Sequence, residues 1–265
     1  MKIHCTIGML TYNSEKNLAR ALASVKDFAE IVIADGGSTD ATLDIARAPG
    51  ARVIHQSNSG TSITDFAQER NLTLAAATQP WFFYLDSDEI MSPELAAYIR
   101  KVAGDSAHSF GAYRVRYCKT NVDASKIYRT YREYYQVRLV RTDIDARFER
   151  PVHERIIIPP DTSVGQTETP WYVPLDAEYL SLRTFAPRAW KRTRAEASAW
   201  QPSGITSMFL SIIGIPSVRI AKSLFKMIAV KVRYGKDAIP ARYELLRILY
   251  TCFLSLQCAQ RLWRS

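Results

Sequence analysis

Residues 81–89 have the sequence WFFYLDSDE, in which five apolar or aromatic residues precede three carboxylates. The apolar run predicts a buried strand, and Ser92-Pro93-Glu94 just after it is typical of a helix start. Carboxylates this close together repel one another unless a cation lies among them, and such oxygen ligands suit Mg²⁺ or Mn²⁺ that also binds a diphosphate. The segment therefore predicts a metal and diphosphate site, with an ordinary helix N-terminus as the alternative.

Strands and helices alternate over the first hundred residues around this segment. Strands separated by helices of about 10–15 residues indicate a parallel sheet with right-handed crossovers. The predicted strands are Ile3–Leu10, Glu30–Ala34, Arg52–His55 and Trp81–Leu85. The predicted helices are Ser14–Val25, Thr39–Ala48 (with Ser38 or Thr39 as N-cap), Thr64–Ala77 and Ser92–Val102.

Polar residues also follow the first two predicted strands. Thr11-Tyr12-Asn13 and then Glu15 follow the first, and residues 35–40 (DGGSTD) follow the second. Ligands of open parallel sheets bind at the carboxyl ends of the strands. The two glycines allow close ligand approach, and Asp35 is able to accept hydrogen bonds from a base or ribose. A plain strand-to-helix turn is the alternative.

Two common nucleotide-binding motifs do not occur in the sequence. It contains neither GxGxxG nor GxxxxGK[ST], which weighs against dinucleotide and P-loop sites. Beyond residue 110, alternating polar and apolar residues at Tyr113–Tyr117 and Gln136–Val140 predict antiparallel or mixed strands. The predicted fold is therefore α/β, a mixed and mostly parallel sheet with a helical C-terminal tail.

Charge is unevenly distributed along the 265 residues, of which 47% are hydrophobic. That composition excludes a disordered chain. Residues 1–182 have 20 Lys/Arg and 23 Asp/Glu, whereas residues 183–265 have 15 and 3. We therefore expect a domain over 1–182 and a basic, membrane-associating tail over 183–265.

The tail has two apolar stretches, 205–218 and 248–259, both shorter than the roughly 20 residues of a spanning helix. Between them, cations alternate with apolar residues at helical spacing, which predicts a basic amphipathic helix on an anionic membrane surface. The alternative is a helix packed on the body with solvated lysines. The tail has no helix-turn-helix, RNP or zinc-finger pattern, so binding to nucleic acid is not favoured.

Taken together, these motifs resemble inverting glycosyltransferases of family 2, which have the Rossmann-like GT-A fold of nucleotide-diphospho-sugar transferases. Pro151-Val152-His153-Glu154, with 138–141 (RLVR) ahead of it, is similar to the VHE element of the subgroup with lipopolysaccharide-core glucosyltransferases. Arg150-Pro151 stand where that subgroup often has Gly. The other matching segments, in family order, are 9–15 (MLTYNSE), 35–40 (DGGSTD), 69–71 (ERN) and 85–89 (LDSDE).

The resemblance implies a UDP-sugar donor and a divalent metal, Mn²⁺ or Mg²⁺, as cofactor. Asp88 would coordinate the metal of this DxD motif, and His153 would be a further metal or phosphate ligand, with a structural histidine as the alternative. The residues implied for nucleotide binding are Thr11, Tyr12, Asn13, Glu15, Asp35, Gly36, Arg70 and Asp86.

The expected reaction displaces a nucleoside diphosphate from the anomeric carbon. The acceptor hydroxyl must lose a proton, so a carboxylate is needed as general base. Glu154 is our first candidate and Glu89 the second. A metal at Asp88 would stabilise the negative charge of the leaving group.

The leading hypothesis is transfer of a hexose to a membrane-linked glycan such as lipopolysaccharide core, by a cytoplasmic protein peripheral to the inner face of the cytoplasmic membrane. One alternative keeps the fold and changes the acceptor to polyprenyl phosphate or a protein side chain. Others are a non-catalytic membrane-surface adaptor and a nucleic-acid-binding protein. The presence of Asp86, Asp88 and Glu154 favours an enzyme.

Overall fold

The computed structural model describes residues 1–57, 60, 63–105, 109–151, 153–175 and 180–264. The chain divides into two compact units. The first comprises Met1–Cys118 and Glu133–Pro174, and the second comprises Lys119–Arg132 and Leu175–Ser265. That residues 1–182 form a domain and 183–265 a separate tail remains a prediction.

Ten strands occur in the described residues. Eight of them form one sheet, and the other two, the eighth and ninth in chain order, form a separate pair. The ten strands are β1 (Ile3–Thr11), β2 (Phe28–Asp35), β3 (Arg52–His55), β4 (Trp81–Tyr84), β5 (Ile90–Met91), β6 (Ala112–Thr120), β7 (Tyr134–Arg141), β8 (Arg147–Glu149), β9 (Arg155–Ile157) and β10 (Val164–Pro174).

The large sheet has the order β3-β2-β1-β4-β7-β6-β10-β5. Its first half is parallel, since β1 pairs in parallel with both β2 and β4, and β2 pairs in parallel with β3. Its second half contains antiparallel pairs, β4 with β7 and β7 with β6. The predicted α/β fold with a mixed sheet is confirmed.

Four helices of the first unit connect or flank these strands. The predicted cap at Ser92 is confirmed, because its Oγ accepts from the backbone N of Leu95 at 3.0 Å. The predicted cap at Ser38 or Thr39 is wrong: the second helix starts at Thr42, and Ser38 donates to Asp35 instead. The helices are α1 (Glu15–Ser24), α2 (Thr42–Arg47), α3 (Phe66–Ala75) and α4 (Pro93–Gly104).

The core of the sheet depends on a close approach between β1 and β4. All four residues of β4 are buried, and Phe82 is fully enclosed. A Cβ at Gly8 would lie 2.4 Å from the Phe82 ring. Gly8 therefore gives the aromatic strand room to pair with β1, and this pairing brings the ends of the two strands together.

Helices make up most of the second unit: α5 (Leu182–Ala199), α6 (Ile205–Phe209), α7 (Ile215–Tyr234) and α8 (Ala241–Arg264). A π-helical turn at Leu210–Gly214 and a 3₁₀ turn at Gly235–Asp237 extend α6 and α7 into one helix over 205–237.

This continuous helix is longer than the apolar stretch at 205–218, which by itself is too short to span a membrane. Its 33 residues are long and apolar enough to cross a membrane by length and composition, and many of its large apolar side chains are exposed. Gly214 and Pro216 both lie inside this helix. Pro216 lies in the first turn of α7, where a missing N–H costs little, so the helix continues through it.

Candidate active site

The carboxyl ends of β1 and β2 are joined by hydrogen bonds between their loops. Thr11 and Asp35 are direct neighbours in the parallel pairing, and Thr11 Oγ1 donates to Asp35 Oδ1 at 2.8 Å. Asn13 has a left-handed φ of 48°, its backbone N donates to Ser38 Oγ at 2.9 Å, and its Oδ1 accepts from the backbone N of Thr39 at 2.9 Å. The two predicted nucleotide-binding segments are therefore adjacent.

Glu15 and Asp40 extend this junction. The backbone N of Glu15 donates to Asp40 Oδ2 at 3.2 Å, and Glu15 Oε2 accepts from the backbone N of Ala41 at 3.0 Å. Glu15 thus holds the start of α2 in place. Tyr12, between the two loops, keeps 50% of its surface exposed.

Asp35 is buried and its carboxylate is satisfied by the protein itself. Besides Thr11, it accepts from Ser38 Oγ at 2.6 Å and from the backbone N of Gly37 and Ser38 at 2.9 and 2.8 Å. Burial opposes its charge, but these hydrogen bonds outweigh burial and lower the pKa of Asp35. The side chain therefore shapes the loop rather than projecting toward a ligand.

Gln56 is a site residue that the sequence analysis missed. It is buried, and its Nε2 donates to the backbone oxygens of Ala34 at 2.9 Å and Thr11 at 3.2 Å. A Cβ at Gly36 would lie 2.8 Å from its Oε1. Gln56 thus ties the exits of β1 and β2 together and explains the glycine at position 36. A polar residue directly after the RVIH strand is the only signal that the sequence offers.

The ERN motif lies on α3 and fixes three different segments. Glu69 is buried and accepts from the backbone N of Ser57 at 3.0 Å. Asn71 exchanges two hydrogen bonds with the backbone of Phe148, at 3.0 and 2.8 Å. Between them, Arg70 is 5% exposed and bonds to two acids.

Arg70 links the exit of β4 to the predicted VHE element. One Nη donates to Asp86, and its Nε donates to Glu154 Oε1 at 2.8 Å. Its guanidinium also lies 5.0 Å from the centre of the Tyr84 ring. Burial opposes the charge of Arg70, but the two carboxylates outweigh burial and raise its pKa. Asp86, Arg70 and Glu154, remote in sequence, thus form one contiguous charged cluster.

Glu89 does not fit the role of a base. It is 4% exposed, and Arg138 donates to both of its oxygens, at 2.9 and 3.2 Å. Its Oε2 also accepts from the backbone N of Asp86 at 3.0 Å. Burial raises the pKa of Glu89, while Arg138 opposes the rise. Enclosure by the protein corrects its placement as a candidate base and makes it a support of the β4 loop.

Asp88 and His153 are both exposed, and Asp86 is partly exposed. His153 has a left-handed φ of 57°, and Arg150 before it has 77°. Val152 of the VHE element lies outside the described residues. Among the described residues, no group of three His, Cys, Asp or Glu side chains is placed to hold a metal. The carboxylates at 86 and 88 fit a divalent ion that takes one or two protein oxygens and completes its shell with diphosphate and water.

A hydrogen bond between two serines joins the loop after β4 to the loop after β1. Ser87 Oγ lies 3.2 Å from Ser14 Oγ, directly after the Thr11–Asn13 segment. Of the predicted residues, the structure brings together Thr11, Asn13, Glu15, Asp35 and Gly36 at one junction, and Arg70, Asp86 and Glu154 at the other.

Comparison with known proteins identifies the family of this chain. The family model "Glycosyl transferase family 2" matches residues 6–155, more than half of the chain. The chain belongs to glycosyl transferase family 2. The predicted family and the predicted class of enzyme are therefore confirmed, and the matched range contains both junctions of this family 2 site.

Three relatives illustrate the range of similarity. A TPR repeat-containing protein of Synechococcus elongatus is 34% identical over 153 residues, which cover 57% of this chain and 35% of that protein. The prophage-derived glycosyltransferase SunS of Bacillus subtilis is 36% identical over 101 residues, covering 37% and 23%. The lipopolysaccharide core biosynthesis glycosyltransferase LpsC of Rhizobium meliloti is 26% identical over 175 residues, covering 63% and 62%. The matches to the first two span about a third or less of those proteins.

Proposed function

We propose that this protein is an inverting glycosyltransferase that moves a hexose from a UDP-sugar to a membrane-linked glycan acceptor such as lipopolysaccharide core. The observation that carries the proposal is the bridge made by Arg70 between Asp86 and Glu154. The guanidinium of Arg70 lies between Asp86, which would face the donor, and Glu154, which would face the acceptor.

On the donor side, Thr11, Tyr12, Asn13 and Glu15 would line the nucleotide pocket beside Gly36 and Asp86. Asp35 is reassigned from direct contact to holding the loop, because four internal donors already satisfy it. Asp88, two residues after Asp86, would hold Mn²⁺ or Mg²⁺, and His153 would be a further metal or phosphate ligand. When bound, the ion would supply positive charge at the leaving diphosphate.

On the acceptor side, Glu154 would act as the general base. Its Oε1 accepts from Arg70, and Oε2 would take the proton from the attacking hydroxyl. Arg70 orients this carboxylate from a buried position, so the base is fixed before substrate binds. The side chain of Glu154 is 17% exposed, which leaves access for the acceptor.

A membrane-linked acceptor is supported by the second unit. Large apolar side chains of the 205–237 helix are exposed, among them Ile205 at 85%, Phe225 at 60% and Val232 at 82%. The proposed location is the cytoplasmic face of the membrane, with this helix in contact with anionic lipid. The name of the relative LpsC favours a lipopolysaccharide-type acceptor over polyprenyl phosphate or a protein side chain.

The test is a screen of UDP-sugars with extracted envelope lipid as acceptor, followed by Glu154→Gln. Transfer should fall by about 10²–10⁴-fold while UDP binding is kept. Glu149→Gln, at a surface pair with Arg147, is the matched control and should transfer normally. A fully active Glu154→Gln would remove the base assignment, and no transfer from any donor would favour the non-catalytic adaptor.

A further inference from the structure

A cavity of about 520 Å³ lies within the second unit, between α5, α7 and α8. Each helix contributes residues three or four positions apart, so one face of each helix is turned to the cavity. Four hydroxyl side chains line it, and none of its described lining residues is acidic. Six of the lining side chains are cations: Arg188, Arg192, Arg219, Lys222, Lys226 and Arg247.

Two of the six cavity cations, Arg192 and Arg247, pair with acids, but in the described residues the cavity cations of α7 do not. Residues 183–265 contain 15 Lys/Arg and only three acids. Glu196 accepts from Arg192 at 3.3 Å, Glu244 accepts from Arg247 at 3.3 Å, and Asp237 lies 3.9 Å from Lys126. In the part of the chain that the structure describes, no carboxylate pairs with the α7 cations Arg219, Lys222 and Lys226. Like charges turned to one space repel, and an anion among them would relieve that repulsion.

The orientation of α7 makes the charge arrangement distinctive. An amphipathic helix packed on a soluble bundle buries its apolar stripe and leaves its cations in water. In α7 the apolar side chains are on the outside, and Leu224, Phe225 and Ile228 are 41–61% exposed. The cations of α7 line the cavity. The amphipathic pattern of the sequence predicts that Arg219, Lys222 and Lys226 lie either on lipid or in open solvent. All three line the cavity, where Lys226 is half-buried and Arg219 and Lys222 are also exposed to solvent.

We infer that this cavity binds a phosphate group, as a monoester or a diphosphate. Guanidinium and ammonium groups are the side chains that recognise phosphate, and hydroxyls supply further donors. The volume is within the usual range of ligand sites, roughly 300–1,000 Å³. A lipid headgroup and a soluble phosphate share this chemistry. The inference concerns the second unit alone and stands independently of the proposed transferase site.

The test uses the full chain in EDTA, so that metal-dependent diphosphate binding at the first unit does not contribute. Pyrophosphate binding is measured by calorimetry for the cavity variant Arg219→Gln/Lys222→Gln/Lys226→Gln. The control is Arg183→Gln/Lys191→Gln/Arg194→Gln, which removes the same charge from exposed positions of α5 outside the cavity lining. The cavity variant should bind at least tenfold more weakly and the control within twofold. Arg219→Lys/Lys222→Arg/Lys226→Arg should keep wild-type affinity within about threefold.

A vesicle experiment separates the two sources of phosphate. Phosphatidylcholine vesicles containing phosphatidic acid or, in parallel, phosphatidylglycerol are sedimented with each protein. Selective loss of phosphatidic acid binding by the cavity variant identifies a lipid headgroup. Equal vesicle binding by both triple variants, with cavity-dependent pyrophosphate binding, identifies a soluble phosphate. If neither pyrophosphate nor phosphatidic acid distinguishes the cavity variant from its control, the inference is overturned.

Discussion

The loops after β2 and β4 both place carboxylates at the end of a buried strand, but the protein holds those carboxylates in different ways. Asp35 accepts from Thr11 on the paired strand and from its own loop, up to three residues away. Asp86 and Glu89 instead accept from Arg70 and Arg138, which lie 16 and 49 residues away. The same sequence pattern therefore produces a locally closed loop in one place and a remote charge network in the other.

Of these substitutions, we expect those in the charge network after β4 to lower the free energy of unfolding most. Arg138→Met leaves Glu89 buried without its partner and should cost about 3–5 kcal/mol in the free energy of unfolding. Arg141→Met, which breaks the exposed pair with Asp143, should cost less than about 1 kcal/mol. Urea denaturation of both variants measures the difference.

The double variant Glu89→Leu/Arg138→Met sharpens this prediction. Removing both charges also removes the uncompensated carboxylate, so most of the lost stability should return. A single Arg138→Met variant that is as stable as wild type would mean that Arg138 and Glu89 do not support the β4 loop.

The β2 loop should respond more mildly. Asp35→Asn turns an amide N–H₂ toward groups that donate, and we expect a loss of about 2 kcal/mol in unfolding free energy. Asp44→Asn on the exposed face of α2 is the control and should change stability little. An unchanged stability for Asp35→Asn would show that the loop does not depend on the carboxylate.

The same variant predicts a dependence on pH. The pKa of Asp35 is lowered from its ordinary 3.8 in the folded state, so its ionised form stabilises the fold above that value. As the pH falls below about 4 and through the lowered pKa, this contribution is lost. The stability difference between wild type and Asp35→Asn should therefore shrink from pH 6 to pH 3, and a difference that stays constant or grows would contradict the pKa direction.

Ser38→Ala should have the smallest effect. It removes one hydrogen bond to Asp35 and one from the backbone N of Asn13, and should cost about 1 kcal/mol. Thermal unfolding measures this loss, with Ser125→Ala in an exposed loop of the second unit as the comparison. A Ser38→Ala variant less stable than Asp35→Asn would reverse the predicted order within this loop.

Local features of this protein could be predicted from its sequence more fully than remote ones. The strand Arg52–His55 and the Ser92 cap follow from hydrophobic pattern and capping chemistry, which act over a few residues. The predicted helix cap at Ser38 is wrong because the Ser38 hydroxyl bonds to Asp35, three residues earlier. The partners of Glu89 and Arg70 depend on which strands become neighbours, and no local pattern carries that information.

The central claim is that the carboxylates after β4 bind a divalent ion together with the diphosphate of the donor. Its most direct test is thermal unfolding with UDP and Mn²⁺, separately and together, for wild type, Asp88→Asn and the control Asp44→Asn. Ligand that binds only the folded state raises the unfolding temperature. For wild type and Asp44→Asn we expect a larger rise with UDP and Mn²⁺ together than with UDP alone, and no such difference for Asp88→Asn. An equal rise in EDTA, or an undiminished rise in Asp88→Asn, would contradict the claim.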